Sequence, residues 1–522
     1  ASANLRAKED YLMGINFSRV LTLRYGNSVS NYLKTKYQAI SVGRVMTCVL
    51  GMVVRREREI RSFVKTPFYR VLGSISLEGE NFDGEWRAVE GSRYFRSPYL
   101  YKENGFKEKQ YAEKLIGELS QNSPLVCQVE KIERKKENKN PPLLFNLAEL
   151  QNVCSRLFKI SPDETLRIVQ ELYEKKLVTY PRTDARVLST AVAKEIYKNI
   201  SGLRRYPQID GAADEVLEMG TYKNIAKTRY VNDKQITDHY AIIPTGQGLS
   251  ALNGISLTAQ RVYETIVRRF LCIFYPPAVY QKVNLVTVME KEHFFSSFRV
   301  LQSEGYLKIA ANSFAAKKAS EKSQDSEEEE NTSCNEVLLA ALQKLKKNDI
   351  LSVDSLSIKE GETSPPKRYN SGSMILAMEN AGQLIEDEEL RAQIRGSGIG
   401  TSATRAEILK KLFSIKYLSL NKKTQVITPT LLGEMIFDVV NCSIRQLLNP
   451  ELTASWEKGL TYVAEGSITP QEYMDKLEHF VRVRTVQVEQ SNYQYALRQF
   501  FDAAAENYKK KPSASKRGGK EL

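Results

Sequence analysis

The sequence is poor in histidine and cysteine, and neither residue type is arranged as a metal site. It contains three histidines and six cysteines in 522 residues, and no two cysteines form a CxxC pair. This argues against a zinc ribbon or a dense disulfide framework and fits a reducing cytoplasm. The sequence contains no GxxxxGK[ST] motif, which excludes a Walker A nucleotide site. No apolar run reaches the roughly 18 residues that a membrane span needs.

The charged residues favour a polyanionic partner. Lysine and arginine number 76 and aspartate and glutamate 62, so the net charge is 76 − 62 = +14. An excess of cations is most often matched to nucleic acid, although it says nothing about fold. Hydrophobic residues make up 42% and charged residues 26%, which excludes a disordered or fibrous chain. The length predicts roughly three to four domains.

Hydrophobic periodicity divides the chain into helical and β-type stretches. Helical spacing predicts a helix over residues 1–26, and short alternating runs predict strands from 68 to 129. Residues 131–139 have the composition of a basic linker, and strand-type runs return near 283–288 and 294–301. A helical block between two β-type stretches indicates one β-rich domain that is interrupted by an insertion.

The segment 179–184, TYPRTD, places a tyrosine and an arginine on one face of an extended chain. Alternation with period two points Tyr180 and Arg182 the same way and Pro181 the other way. A phenol attacks poorly at neutral pH unless cations stabilise its anion, and a nearby guanidinium can do this and can also hold a phosphate oxygen. The pair is therefore suited to attack a phosphodiester. The alternative is a half-buried ring beside a surface cation, since the chain has 27 tyrosines.

One histidine lies in a second candidate segment, DHYAIIPT at 238–245. His239 could position a phosphate or assist proton transfer. A histidine beside an apolar run is also commonly a structural hydrogen-bonding group, so both interpretations stay open at this point.

Two glycine-containing segments could approach a DNA phosphate. Residues 396–407 form a glycine-rich loop that enters a helix, with Thr404 and Glu407 predicted as a capping box. Helix N-termini and exposed backbone N–H groups favour anions, while the alternative is a connector with an ordinary cap. Residues 41–47 have the same character, because Gly43 permits close approach and Arg44 supplies charge.

Taken together and in order, these segments resemble the type IA DNA topoisomerases, and in particular their bacterial topoisomerase III branch. The match to the active-site signature at 172–184 is the most specific. The matching segments are 10–19, 41–45 (the SxGRVQ motif), 141–151, 172–184, 239–245 (the HxAIxPT motif), 366–378, 398–405 and 452–457.

The resemblance implies a multidomain α and β fold, a toroidal type IA topoisomerase core with helical gate domains and a β-rich arch. It divides the chain into the first part of a helical DNA-binding domain (1–65), the first part of the arch (66–140), a nucleophile domain (141–270), the second part of the arch with an acidic insertion at 315–335 (271–365), the second part of the helical domain (366–505) and a basic tail (506–522).

The resemblance also implies a function. Tyr180 would attack one DNA strand to form a 5′-phosphotyrosine link, Arg182 would stabilise the transition state and His239 would assist at the phosphate. The resemblance implies that no ATP is needed. It also implies that a monomer binds single-stranded DNA or underwound duplex, with no membrane partner. The implied location is the bacterial cytoplasm, at the nucleoid or a plasmid. The residues implied in DNA binding are Arg19, Ser41, Val42, Gly43, Arg44, Val45, Met46, Thr183, Asp184, Gly400, Thr401, Thr404 and Arg405.

Two departures from the family pattern qualify this expectation. The sequence has no DxDxE triplet, the family's Mg²⁺-binding motif of the N-terminal Toprim domain. We therefore expect that this chain lacks that domain and is inactive alone, and the alternative function is a non-catalytic single-stranded DNA-binding module. The second departure is Met46, where the motif has Gln, because a thioether cannot make the hydrogen bonds of an amide.

Overall fold

A computed structural model describes residues 2–314, 334–394 and 398–509. The acidic insertion, apart from its last two residues, lies outside these ranges, as do residues 396–397 of the glycine-rich loop and the tail from 510 onward. The helices are α1 (Ser2–Leu33), α2 (Arg44–Ser62), α3 (Lys109–Leu119), α4 (Leu147–Phe158), α5 (Pro162–Glu174), α6 (Thr190–Gly202), α7 (Ala212–Met219), α8 (Leu257–Cys272), α9 (Leu307–Ala310), α10 (Glu336–Lys344), α11 (Ser371–Glu379), α12 (Glu388–Gln393), α13 (Arg405–Ser414), α14 (Leu431–Ser443), α15 (Pro450–Glu465), α16 (Pro470–Gln490) and α17 (Gln494–Glu506).

Six antiparallel strands close into a barrel in the order β1-β2-β7-β6-β5-β8, and β8 pairs back with β1. The short strands β4 and β3 extend the sheet from β1. The barrel is closed because β1 pairs with β2 on one side and with β8 on the other. The strands are β1 (Pro67–Leu77), β2 (Glu80–Arg87), β3 (Leu100–Lys102), β4 (Gly105–Phe106), β5 (Val126–Lys139), β6 (Ala278–Met289), β7 (Glu292–Ser303), β8 (Ile350–Glu362) and, in a separate hairpin, β9 (Leu418–Leu420) and β10 (Ile427–Pro429).

The structure confirms the predicted N-terminal helix and the later strands but corrects two predictions in the arch. Residues 131–139 are not a linker, because they form most of β5 and pair with β6 as far as Lys139 opposite Ala278. Their charged side chains face solvent while the backbone closes the barrel, so composition alone misled. Residues 109–119, within the stretch predicted as strands, form α3, whose buried Ala112, Leu115 and Leu119 recur at helical spacing.

Three large apolar cores and a small cluster of Leu5, Leu460 and Tyr473 hold the described chain together. The middle core draws on residues 144–310 and includes α4, α5 and α8. The barrel core lies between the strands, α3 and α10. The terminal core joins residues 13–54 to residues 374–501, so that α1 and α2 pack with the last helices. The exact domain boundaries given above stay a prediction.

Candidate functional site

Tyr180 lies in an irregular segment that follows α5 and is hydrogen-bonded to a second segment, which contains His239. Thr179 donates its backbone N–H to the Ile243 carbonyl and its hydroxyl to the Ala241 carbonyl, both at 3.0 Å. Tyr180 is half-buried and Arg182 exposed, while Pro181 between them is buried. The exposure of these three residues alternates in the predicted order.

The same pairing brings His239 against the tyrosine. The ring centroids of Tyr180 and His239 are 4.3 Å apart, and the Tyr173 ring meets Tyr180 edge-on at 5.5 Å. The Thr183 hydroxyl donates to the His239 carbonyl at 2.8 Å, which ties the two segments together beside the rings. The three residues predicted to be catalytic thus belong to two hydrogen-bonded segments, with Tyr180 and His239 in contact and Arg182 exposed two residues along the chain.

A cavity of about 440 Å³ lies in the helical part of the molecule, and both glycine-containing segments line it. Of the predicted DNA-binding residues, Gly43, Arg44, Val45, Met46, Gly400, Thr401 and Thr404 belong to its wall. Arg19, Ser41, Val42, Thr183, Asp184 and Arg405 do not. The other lining residues are Arg6, Asp10, Gly398, Ile408, Thr453 and Glu457.

Specific hydrogen bonds hold the first of these segments. The Ser18 hydroxyl on α1 bonds both the N–H and the carbonyl of Val42, at 3.0 and 3.2 Å. The Ser41 N–H donates to the Tyr417 hydroxyl at 2.8 Å, and Gly43 precedes the first turn of α2. Ser41 and Val42 therefore position the segment, and the next four residues form the wall.

Glycine is required in the second segment. Gly398 has φ +66°, and a Cβ there would lie 2.2 Å from the Met378 carbonyl oxygen. Gly400 has φ +67°. Such positive φ values are costly for other residues. The predicted capping box at α13 is wrong, because the Thr404 side chain makes no capping bond and contacts Thr401 instead.

Arg405, one residue after Thr404, links the cavity wall to the Tyr180 segment. Its guanidinium is 1% exposed and lies 3.1 Å from Asp184 and 3.9 Å from Glu379. Asn146 completes the group by donating to the Asp184 carbonyl and to Glu379. Burial raises the pKa of Glu379, and Arg405 opposes that rise. Arg405 therefore contacts protein, and Asp184 is only four residues, at most about 14 Å of extended chain, from Tyr180.

Sequence reasoning missed the charged residues that surround Arg44. Its Nε lies 2.9 Å from Glu9 and 3.0 Å from Asp10, and its NH1 lies 3.7 Å from Glu457. Arg6 also pairs with Glu457. The spacing of Arg6 and Asp10, four residues apart on α1, could have placed these two on one face. The buried position of Glu9 and the approach of α15 had no signal in the sequence.

The described residues do not fit a bound Mg²⁺. Among residues 2–314, 334–394 and 398–509, no group of three histidine, cysteine or acidic side chains could hold a metal ion. The six cysteines are all free. Within the same ranges no helix is both long and apolar enough to cross a membrane.

The architecture and the sequence both match known proteins. The structure is similar to full-length topoisomerase I from Thermotoga maritima, with a TM-score of 0.63 at 20% identity, over 94% of this chain and 69% of that one. This similarity shows a shared fold, a type IA topoisomerase architecture of helices and a closed antiparallel barrel, as predicted. A family model described as "DNA topoisomerase" matches residues 1–475.

The chain belongs to the DNA topoisomerase family. Its relatives support the type IA class and the topoisomerase III branch. It is 31% identical to DNA topoisomerase 3 of Bacillus licheniformis over 95% of this chain and 61% of that protein, and 30% identical to that of Bacillus subtilis over 94% and 61%. The chain thus spans about three fifths of the length of these relatives.

Proposed function

We propose that the chain is the strand-cutting core of a type IA DNA topoisomerase. In this proposal it cuts one DNA strand through a 5′-phosphotyrosine link, lets another strand pass and reseals the cut, which relaxes negative supercoils or separates linked DNA. The observation that carries the proposal is the half-buried phenol of Tyr180, 4.3 Å ring to ring from His239, with the exposed Arg182 two residues away.

The transfer balances without an external energy source. The phenolic oxygen of Tyr180 forms a bond to phosphorus while the bond from phosphorus to the 3′ oxygen breaks. The phenol loses its proton, and the leaving 3′ oxygen takes one up. Arg182 stabilises the negative charge on the phosphoryl oxygens, and His239 positions the phosphate beside the ring. Because one ester replaces another, resealing is the reverse transfer and needs no ATP.

The cavity supports the DNA-binding part of the proposal. It combines the buried cation Arg44 with the backbone of Gly43 and Gly400 and the hydroxyl groups of Thr401 and Thr404. Backbone N–H and hydroxyl groups donate to phosphate oxygens, and glycine allows close approach. We therefore propose that a single strand, or the open strand of underwound duplex, occupies this cavity in a monomer.

The proposal places the Mg²⁺ ligands outside this chain. In the family the Mg²⁺ ligands belong to the DxDxE motif, which this sequence does not contain, and the described residues do not fit the ion. We propose that the chain alone binds DNA without cutting it. Cutting then requires Mg²⁺ and the portion of the Bacillus licheniformis relative that the match does not cover. We call a fusion of that portion with this chain the joined protein.

The polarity of the covalent link tests the proposed function. The joined protein is incubated with a single-stranded oligonucleotide that carries a label at either its 3′ or its 5′ end, and the reaction is stopped with denaturant. A link to the 5′ phosphate leaves the label on the protein only when the oligonucleotide is 3′-labelled. Labelled protein from the 5′-labelled substrate, or from neither, would contradict the proposal.

The place of Met46 in the cavity leads to a prediction that a DNA-binding titration can test without any cleavage. Met46 is 6% exposed and lines the cavity, where the thioether offers at best a weak hydrogen bond. We expect Met46→Gln to tighten binding of a single-stranded oligonucleotide about threefold to tenfold, the worth of one net hydrogen bond. Met46→Leu, which keeps the volume without the amide, is expected to leave the affinity unchanged in the same titration. Equal affinities for the Gln and Leu variants would contradict this.

A further inference from the structure

The guanidinium of Arg44 is enclosed by acidic groups from two helices. Glu9 and Asp10 approach from α1 and Glu457 from α15, while the Tyr473 hydroxyl on α16 donates to the far oxygen of Glu9 at 2.7 Å. The side chain of Arg44 is 3% exposed and that of Glu9 is fully buried. Arg44 is therefore held on its Nε side at the wall of the cavity.

Two atoms of this cluster have no hydrogen-bond partner among the described residues. One is NH1 of Arg44, and the other is Oε1 of Glu9, whose 2.9 Å contact with Arg44 Nε lacks hydrogen-bond alignment. The hydroxyl of Thr453, which also lines the cavity, is a third unpartnered buried group. A buried donor without a partner costs free energy, and a ligand in the cavity that accepts from it recovers that cost.

The charges of the cluster do not balance when every group is ionised. Two cations, Arg6 and Arg44, face three carboxylates, Glu9, Asp10 and Glu457. The wall then carries one net negative charge, which opposes a phosphate. Burial raises the pKa of Glu9 to about 7, although Arg44 and the Tyr473 hydroxyl favour the carboxylate. Protonation of Glu9 near neutral pH brings the net charge to zero.

We propose that Glu9, held by Tyr473 beside the guanidinium of Arg44, sets by its own charge how strongly the cavity attracts phosphate. This inference rests on the proposed function, since it takes a DNA strand as the ligand. It adds to the proposed DNA-binding cavity a residue outside the DNA-binding motifs, and it makes the affinity for DNA depend on pH.

The sign of the pH dependence follows from the charge. A bound polyanion favours the protonated form of Glu9, so binding is tighter below its pKa than above it. If the strand raises that pKa by about one unit, the affinity at about pH 6 exceeds that at about pH 8 about fivefold. Glu9→Gln carries no charge at either pH, so we expect it to bind at about pH 8 as tightly as the unmodified chain binds at about pH 6, with this component of the pH dependence removed.

The experiment is a titration of a labelled single-stranded oligonucleotide with the full chain at both pH values. Tyr473→Phe is the second variant, because loss of its hydrogen bond raises the pKa of Glu9 further and tightens binding at about pH 8. Glu113→Gln, which removes an exposed acid on α3 beside the barrel, is the matched control and keeps the slope of the unmodified chain. Thermal unfolding midpoints confirm that each variant is folded.

The outcomes separate the two proposals. An unmodified chain whose affinity does not change with pH, a Glu9→Gln variant with the original slope, or one that binds more weakly at both pH values would overturn the role of Glu9. If Glu9→Gln does not fold, a Tyr473→Phe profile identical to that of the unmodified chain overturns it instead. Failure of every folded protein to bind the oligonucleotide at either pH contradicts the proposed function itself.

Discussion

Replacement of Tyr180 by phenylalanine is expected to abolish the covalent protein–DNA adduct. Phenylalanine has no oxygen to attack phosphorus, so labelled adduct from the joined protein should fall by at least about a thousandfold, the scale at which loss of a nucleophile is seen. Binding of the oligonucleotide should change less than about twofold, because the phenyl ring keeps its packing against His239 and Tyr173. The measurement compares adduct yield after denaturation with affinity before it.

Tyr173 provides the matched control for this experiment. Tyr173 is 39% exposed and its ring meets Tyr180 edge-on, so it is a second accessible phenol in the same place. Tyr173→Phe should retain the adduct. If Tyr180→Phe still forms the adduct, or if only Tyr173→Phe loses it, Tyr180 is not the nucleophile. If even the unmodified joined protein binds but never forms an adduct, the non-catalytic single-strand binding module becomes the better description.

Replacement of Arg405 by methionine is expected to cause the largest loss of stability among the changes considered. The variant leaves Glu379 buried without its cation and frees Asp184 from the helical part of the molecule. Removing one partner of a buried ion pair typically costs about 3–5 kcal/mol. We expect a loss of this size in urea unfolding at about pH 8.

The pH dependence of that loss distinguishes its cause. The pKa of Glu379 is raised in the folded protein by burial, and without Arg405 it should rise further. An acid whose pKa is raised on folding favours the folded state at low pH, and this advantage disappears as the pH rises through the folded-state pKa. The deficit of Arg405→Met should therefore be smaller at about pH 5 than at about pH 8.

Lys410 on the same helix is the control for Arg405. It is exposed and pairs with Asp163 at 3.2 Å, so Lys410→Met should cost at most about 1 kcal/mol at either pH. Two results would contradict the role of Arg405 in linking the two parts of the molecule. One is a loss in unfolding free energy no larger than that of Lys410→Met, and the other is a loss that grows as the pH falls.

The Tyr180 segment was predictable because its signals are local. Proline stiffens the chain, extended backbone alternates its faces, and the burial of residues 180–184 follows that rule. Local signals failed where a distant strand decided the outcome. Residues 131–139 carry the composition of a linker, yet β6 lies beside them and their backbone completes the barrel. The capping box at Thr404 failed for a local reason, because the Thr404 hydroxyl accepts from the Thr401 N–H and makes no bond to the first turn of α13.

The sequence by itself indicated the class of protein, through the order of segments that resemble one family, and it pointed to Tyr180, Arg182, His239 and the two glycine-containing segments. Only the tertiary structure decided that residues 43–46 and 398–408 share one cavity, that Arg405 holds Asp184, and that Glu9 is buried against Arg44. These contacts join groups brought together by helix packing, and burial then sets their charges. Desolvation and ion pairing depend on distance in space, which no local pattern records.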